Sequence, residues 1–144
     1  MMIRAVKQDD LAALCALYEQ LMDAPCDMQR LPAVFEKVCR NDNACVFGAF
    51  DADGTLMGSV YVVVCEDLVE QCRPFAVVEN VVVDEKVRGK GVAGALMTQA
   101  EVFARERNCM YMMLVSGAQR KQAHGMYEHL GYDVPVRGFK KYLG

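Results

Sequence analysis

Val81-Val82-Val83-Asp84-Glu85-Lys86-Val87-Arg88-Gly89-Lys90-Gly91-Val92-Ala93-Gly94 runs from a valine strand through a charged loop into glycines that open a helix. The first turn of a helix carries backbone N–H groups with no intrahelical partner and the positive end of the helix dipole. Glycine lets a diphosphate approach those amides closely. Arg88 and Lys90 add positive charge beside them. The physics of the stretch says anion pocket, with a nucleotide pyrophosphate as the natural occupant.

Other readings of the stretch are open. A plain helix start leaves three glycines and two cations at one helix entrance without a structural need. Gly89, Gly91 and Gly94 also spell G-x-G-x-x-G, the dinucleotide fingerprint. That motif should follow its strand almost directly and be answered by an acid about 20 residues on. Here a charged loop intervenes, and the next strand candidate, Met110 to Ser116, has no acid. A P-loop does not fit, because no G-K-[ST] follows at the required spacing.

Working outward, Phe75 to Val83 reads as a strand so continuously apolar that it belongs at the centre of a sheet, covered on both faces. Two polar residues, Glu79 and Asn80, interrupt it. Upstream, Ala44–Phe50 and Thr55–Cys65 flank the turn Asp51-Ala52-Asp53-Gly54 and read as a hairpin. Before them come a short strand, Ile3–Val6, and a helix capped by Asp9 or Asp10, with Leu11, Leu14, Cys15, Tyr18, Leu21 and Met22 on one face. A second helix follows over Leu31, Val34, Phe35 and Val38. Downstream of the glycines lie a helix closed by Asn108, a strand over Met110–Val115, and a helix from Arg120 to Leu130 ended by Gly131. The tail, Tyr132 to Leu143, reads as one or two short strands split near Gly138. The order is β-α-α-β-β-β-α-β-α-β. It describes a mixed α/β sheet, antiparallel first and parallel across the Val83-to-Met110 crossover.

The 144 residues fit one domain, and 53 % hydrophobic residues suffice for a core. A net charge of -3 argues against nucleic acid as the main ligand. No apolar run approaches a membrane span, and no signal peptide opens the chain. Seven cysteines, with no C-x-x-C pair, sit mostly among apolar neighbours. They read as buried free thiols of a cytoplasmic protein. Clusters of Cys and His with metal-ligand spacing are absent, so no metal is expected.

Arg88-x-x-Gly91-x-Ala93 matches the signature R/Q-x-x-G-x-G/A, and here the chain resembles the GNAT superfamily of N-acetyltransferases. The opening Ile3-Arg4-Ala5 with its amphipathic helix is similar to that family's first strand and helix. Ala123-x-x-x-Tyr127-Glu128-x-Leu130-Gly131-Tyr132 is similar to its later A-x-x-x-Y-E-x-L-G-F/Y motif. Nearly the whole chain is covered, with the pieces in the family's order. The resemblance implies that acetyl-CoA is the cosubstrate. It implies a bulged strand, Val81, Val82 and Val83, pairing its backbone with the pantetheine arm. It implies that the amides of Arg88, Gly89, Lys90, Gly91, Val92, Ala93 and Gly94 hold the pyrophosphate. Lys90 either reaches the 3′-phosphate or lies in solvent. Ala123 belongs to the cofactor side of the later motif. Where the family often has Asn or Ser near the start of that helix, this chain has Arg120, a polar contact of different geometry.

The resemblance makes Tyr127 the general acid that protonates the departing CoA sulfur. The plain alternative is a core tyrosine with its hydroxyl at the rim. Glu79 in an apolar strand must be paired, hydrated or useful. An amine arrives as ammonium, with a pKa near about 10.4, and must lose a proton before it attacks. Glu79 is the candidate base, and Asn80 a candidate for orienting substrate or water. His124 and His129 read as surface histidines, and Cys65 and Cys109 as packing residues. Direct attack in a ternary complex is therefore expected rather than an acetyl-cysteine route.

The expected function is transfer of an acetyl group from acetyl-CoA to a primary amine of a small molecule or peptide. A non-catalytic CoA-binding sensor of the same fold, or an enzyme using a longer acyl-CoA, are the alternatives. Acceptor specificity is expected from the first two helices, about Leu11 to Arg40, and from the loop Asp67 to Pro74. The resemblance also suggests a homodimer, with the tail strand pairing across the interface.

Overall fold

The computed structural model describes residues 1–144. The elements run β1 (Met2–Ala5), α1 (Leu11–Met22), α2 (Leu31–Cys39), β2 (Ala44–Phe50), β3 (Leu56–Cys65), β4 (Phe75–Val83), α3 (Val92–Glu106), β5 (Met112–Met113) and α4 (Lys121–His129). The strands form one mixed sheet in the order β1-β2-β3-β4-β5. The first three pairings are antiparallel, and β4 and β5 are parallel. This is the expected α/β architecture, with two differences at its C-terminal side.

The first difference is the tail. Residues 132–144 form no strand. Pro135 has no N–H for a ladder, and the Val136 amide donates back to the Val134 carbonyl at 2.8 Å, turning the chain where a strand would have to run straight. The second is the length of β5. Only Ala76↔Met112 and Val77↔Met113 pair. Beyond Val77 the two strands part and a cleft opens between them.

The parting coincides with a bulge in β4. The β3–β4 register passes from Tyr61↔Glu79 to Ser59↔Val82, so Asn80 and Val81 together oppose Val60. Asn80 takes a left-handed conformation, φ 55°, which asparagine tolerates better than a β-branched residue. The extra residue reverses the strand's alternation. Ala76 and Val78 face the α3 side, and past the bulge Val81 and Val83 do so, while Val82 turns to the α1 side.

Two cores result. On one face α3 packs Leu96, Met97, Ala100 and Phe103 onto Val60, Val62, Ala76 and Val78. On the other, Leu11, Leu14 and Leu17 of α1 and Phe35 of α2 cover Val46, Phe50, Leu56 and Val82. Full burial of each such side chain contributes about 1.5–3 kcal/mol. Ser59, fully buried between strands, donates to the Phe47 carbonyl at 2.9 Å and so avoids the cost of an unpaired hydroxyl. At the start of α1, Asp10 accepts from the Lys7 amide at 2.8 Å and from Arg4 at 2.7 Å, which ties β1 to the first turn.

Coverage of β4 on both faces does not hold along its whole length. Phe75 and Val77 are partly exposed and Glu79 is exposed, because α1 and α2 end short of them. The cysteines also differ from expectation. Cys15 and Cys26 form a disulfide, and five remain free. Asp23 ends α1 in a left-handed turn, and the chain doubles back to bring Cys26 to 5.6 Å (Cα–Cα) from Cys15.

Candidate active site

The cleft between β4 and β5 opens into a groove of about 940 Å³. One wall is the end of β4, with Val81, Val82 and Val83. Its floor is the loop and first turn of α3, with Arg88, Gly89, Gly91, Val92, Ala93 and Gly94. The opposite wall is α4, with Arg120, Ala123 and Tyr127. The fold thus gathers twelve of the fifteen residues singled out from the sequence, leaving Lys90, Glu79 and Asn80 outside the lining. Lys90 is exposed on the loop.

The groove suits an anion. Arg88, Arg120, Lys121 and His129 line it, and no Asp or Glu does. Gly91 caps α3 at φ 79°, and the helix closes its first turn with Ala95 N–H donating to the Gly91 carbonyl at 3.1 Å. The amides of Val92, Ala93 and Gly94 are left without helical acceptors at the groove floor. Gly89 and Gly91 need glycine for their backbone, with φ near 80°. Gly94 does not, since it sits in regular helix and an added Cβ would meet no atom within 4 Å. Neither conformation nor packing accounts for that glycine, and it lies at a helix entrance open to the groove. Arg88 donates to the Val83 carbonyl at 3.3 Å, which holds the loop against the strand.

Along β4, past the last β5 pairing at Val77, the strand edge facing the cleft has no partner strand. Apart from the Val83 carbonyl, which Arg88 holds, backbone N–H and C=O groups there are free for an extended, amide-bearing arm, the chemistry of pantetheine. The residues present therefore fit the pantetheine arm and the pyrophosphate of acyl-CoA, with a free strand edge, a helix N-terminus and surrounding cations.

Tyr127 is half-buried, packs against the α3-side core and meets Tyr132 edge-on at 6.1 Å. Burial raises its pKa, opposed by the nearby Arg120 cation. The phenol therefore keeps its proton at neutral pH and has one to give. Glu79 stands on the other side of the sheet, opposite Tyr61 and exposed. Glu79 takes part in no ion pair. Burial pushes up the Cys109 thiol, which leaves it a weak nucleophile. His124 packs its ring nitrogen on the Gly117 carbonyl at 2.9 Å and braces the loop before α4.

Sequence reading missed α1's part. Gln20 and Leu21 line the groove, and Gln20 Oε1 accepts from the Glu85 amide at 3.1 Å, fixing the turn that precedes Arg88. Nothing local marks Gln20, because its partner lies 65 residues away. Met126, His129 and Leu130 also line the groove, and all belong to the α4 motif already quoted.

Known proteins with the same fold bear on this geometry. A structure from Agrobacterium tumefaciens str. C58, assigned as an acetyltransferase, is 28 % identical with a TM-score of 0.91, covering 99 % of this chain and 100 % of its own. A Trypanosoma brucei acetyltransferase aligns at TM-score 0.85 and 23 % identity, over 99 % of both chains. Glucosamine-6-phosphate N-acetyltransferase from Arabidopsis thaliana aligns at TM-score 0.85 and 19 % identity, over 99 % of this chain and 98 % of that one. The last two likenesses speak for the fold alone. No curated protein matches the sequence. The model of the acetyltransferase (GNAT) family matches residues 10–132, and the chain belongs to that family.

Proposed function

We propose that the protein transfers the acetyl group of acetyl-CoA to a primary amine by direct attack in a ternary complex. One observation carries the reading. A groove free of carboxylates joins a glycine-lined helix start to a half-buried, protonated tyrosine.

Bound acyl-CoA supplies an activated thioester. The amides of residues 92–94 and the cations Arg88 and Arg120 hold its phosphates, and the open edge of β4 aligns its arm. Tyr127 holds the proton that the departing sulfur needs. Glu79, across the bulge, takes a proton from the incoming ammonium. Glu79 lies two residues before Val81, which lines the groove beyond the bulge. A CoA-binding sensor without turnover is the second reading, and the position of Glu79 outside the groove is the observation that favours it.

Isothermal titration of acetyl-CoA into wild type and Gly91→Asp tests the cradle. Wild type should bind, and the variant, which places a carboxylate on the phosphates, should lose binding. Absence of binding by folded wild type would sink the proposal. Tyr127→Phe then separates transferase from sensor. It should lower kcat about a hundredfold with acetyl-CoA affinity unchanged.

A further inference from the structure

The sheet face that carries α1 and α2 is only half covered. Along β3 and β4, Val60, Val62, Val64, Ala76 and Val78 are buried beneath α3. Their alternates Tyr61, Val63, Cys65, Phe75 and Val77 are partly exposed on the other face. The register sets Tyr61 opposite Glu79, Val63 opposite Val77 and Cys65 opposite Phe75, so these side chains form one patch. Beside β5 the patch continues. Tyr111 stacks on Phe75 with centroids 5.4 Å apart, and Tyr111 and Met113 are 48 % and 41 % exposed. An open sheet face is ordinarily polar. This one is aromatic and aliphatic, as binding surfaces are.

Charge and continuity indicate what it receives. Glu79 stands at the upper end of the patch and belongs to none of the four ion pairs. Two residues on, past the bulge, Val81 lines the reaction groove. At the lower end Glu66 and Glu70 are exposed in the loop after β3. Arg73, the nearby cation, is tied to the Asn108 and Cys109 carbonyls at 3.2 and 3.0 Å. The patch therefore offers apolar surface and negative charge, and the guanidinium of Arg73 is already engaged.

Resting on the acetyl-transfer reading, we propose that this face seats the acceptor, a primary amine joined by a short chain to an aromatic or branched apolar group. Its ammonium meets Glu79 and its apolar body lies on Tyr61, Val63, Val77, Phe75 and Met113. One ammonium proton leaves through Glu79 to solvent. The N–C bond forms as the C–S bond breaks, and the sulfur takes the Tyr127 proton. The second proton released by the amine restores the phenol through solvent.

The test is CoA release from acetyl-CoA with 2-phenylethylamine against glucosamine, for wild type, Val77→Asn and the more exposed Met113→Glu. Wild type should prefer 2-phenylethylamine by at least about a hundredfold in kcat/KM. The variants should raise its KM about tenfold and leave the KM for acetyl-CoA unchanged. Equal or better use of glucosamine, or variants with unaltered KM for 2-phenylethylamine, overturns the acceptor class and leaves acetyl transfer standing. No reaction with 2-phenylethylamine by protein that still binds acetyl-CoA does the same. Absence of acetyl-CoA binding overturns the transfer reading itself. Sedimentation showing a wild-type dimer that Met113→Glu converts to monomer assigns the face to a second copy and overturns the proposal.

Discussion

Gly94 is the one glycine of the loop that neither conformation nor packing requires, and on the proposed reading it serves the ligand. Gly89 and Gly91 are required by positive φ, so their replacement mixes backbone strain with any effect on binding. Gly94 is free of both constraints, since its conformation is helical and a methyl group there meets nothing. Glycine inside a helix costs about 0.5–1 kcal/mol relative to alanine. Gly94→Ala should therefore raise stability by about 0.5 kcal/mol, slightly less than the interior value because the site lies in the first turn. On the proposed reading the same methyl group crowds the phosphates at the amides, and acetyl-CoA should bind at least about tenfold more weakly. Urea denaturation and titration on the same protein check both halves. A variant that is more stable and binds as tightly as wild type refutes the assignment of this residue to the cradle. The glycine run was legible in the sequence, but it did not tell which glycines serve the chain's own backbone and which serve a ligand. That distinction needs φ and the surrounding space.

Among the elements, β4 and α1 show how far sequence pattern reaches. The bounds of β2 and β4 follow from hydrophobic runs and turn residues, because those signals are local. Glu79-Asn80 stands out in the valine run, yet whether the pair marks a bulge depends on the register with β3, a non-local quantity. The disulfide is of the same kind. Cys15 and Cys26 are separated by eleven positions with no diagnostic spacing, and only the left-handed turn at Asp23 brings them together. The bridge closes the segment containing Gln20 and Leu21, which line the groove and hold the Glu85 amide. Loop-closure entropy for a ring of this length amounts to roughly 2–3 kcal/mol. Reduction with dithiothreitol should lower the urea midpoint by that equivalent, and Cys26→Ser should match the reduced protein. If the end of α1 loosens, acetyl-CoA affinity should fall with it, since Gln20 then no longer fixes the turn before Arg88. A midpoint indifferent to reductant would show that the pair carries no stability.

Across the whole molecule, the architecture was readable because two cores on either side of one sheet impose strong periodicities on α1, α3 and β2–β4. The tail was misread because alternating apolar residues (Val134, Val136) look like a strand, while Pro135 denies them the ladder. The same continuous hydrophobicity that suggested full burial of β4 instead leaves an open apolar face. The two cores also hold titratable groups whose protonation is linked to folding. Burial pushes Tyr18 up to about 12, opposed by the Ser59 and Asn80 side chains. Tyr132 is likewise pushed to about 12, first by burial and then by Glu101 and Tyr127. Burial also pushes the Cys45 thiol to about 11. In the unfolded chain a tyrosine titrates near about 10 and a cysteine near about 8.5. Between those values and the folded ones the unfolded chain binds fewer protons than the native protein, so stability must fall as pH rises. The contribution is intact below about pH 8.5 and is lost progressively as pH passes through 11 to 12. Each group wholly out of balance adds about 1.4 kcal/mol of destabilisation per pH unit. Urea midpoints measured at pH 8, 9.5 and 10.5 should therefore decline, gently at first through Cys45 and more steeply once the tyrosines join. Tyr18→Phe should flatten the steeper part, because the α1-side core then carries no ionisable phenol against Ser59. A midpoint that is level from pH 8 to 10.5, or a Tyr18→Phe profile parallel to wild type, would show that these groups titrate alike in both states.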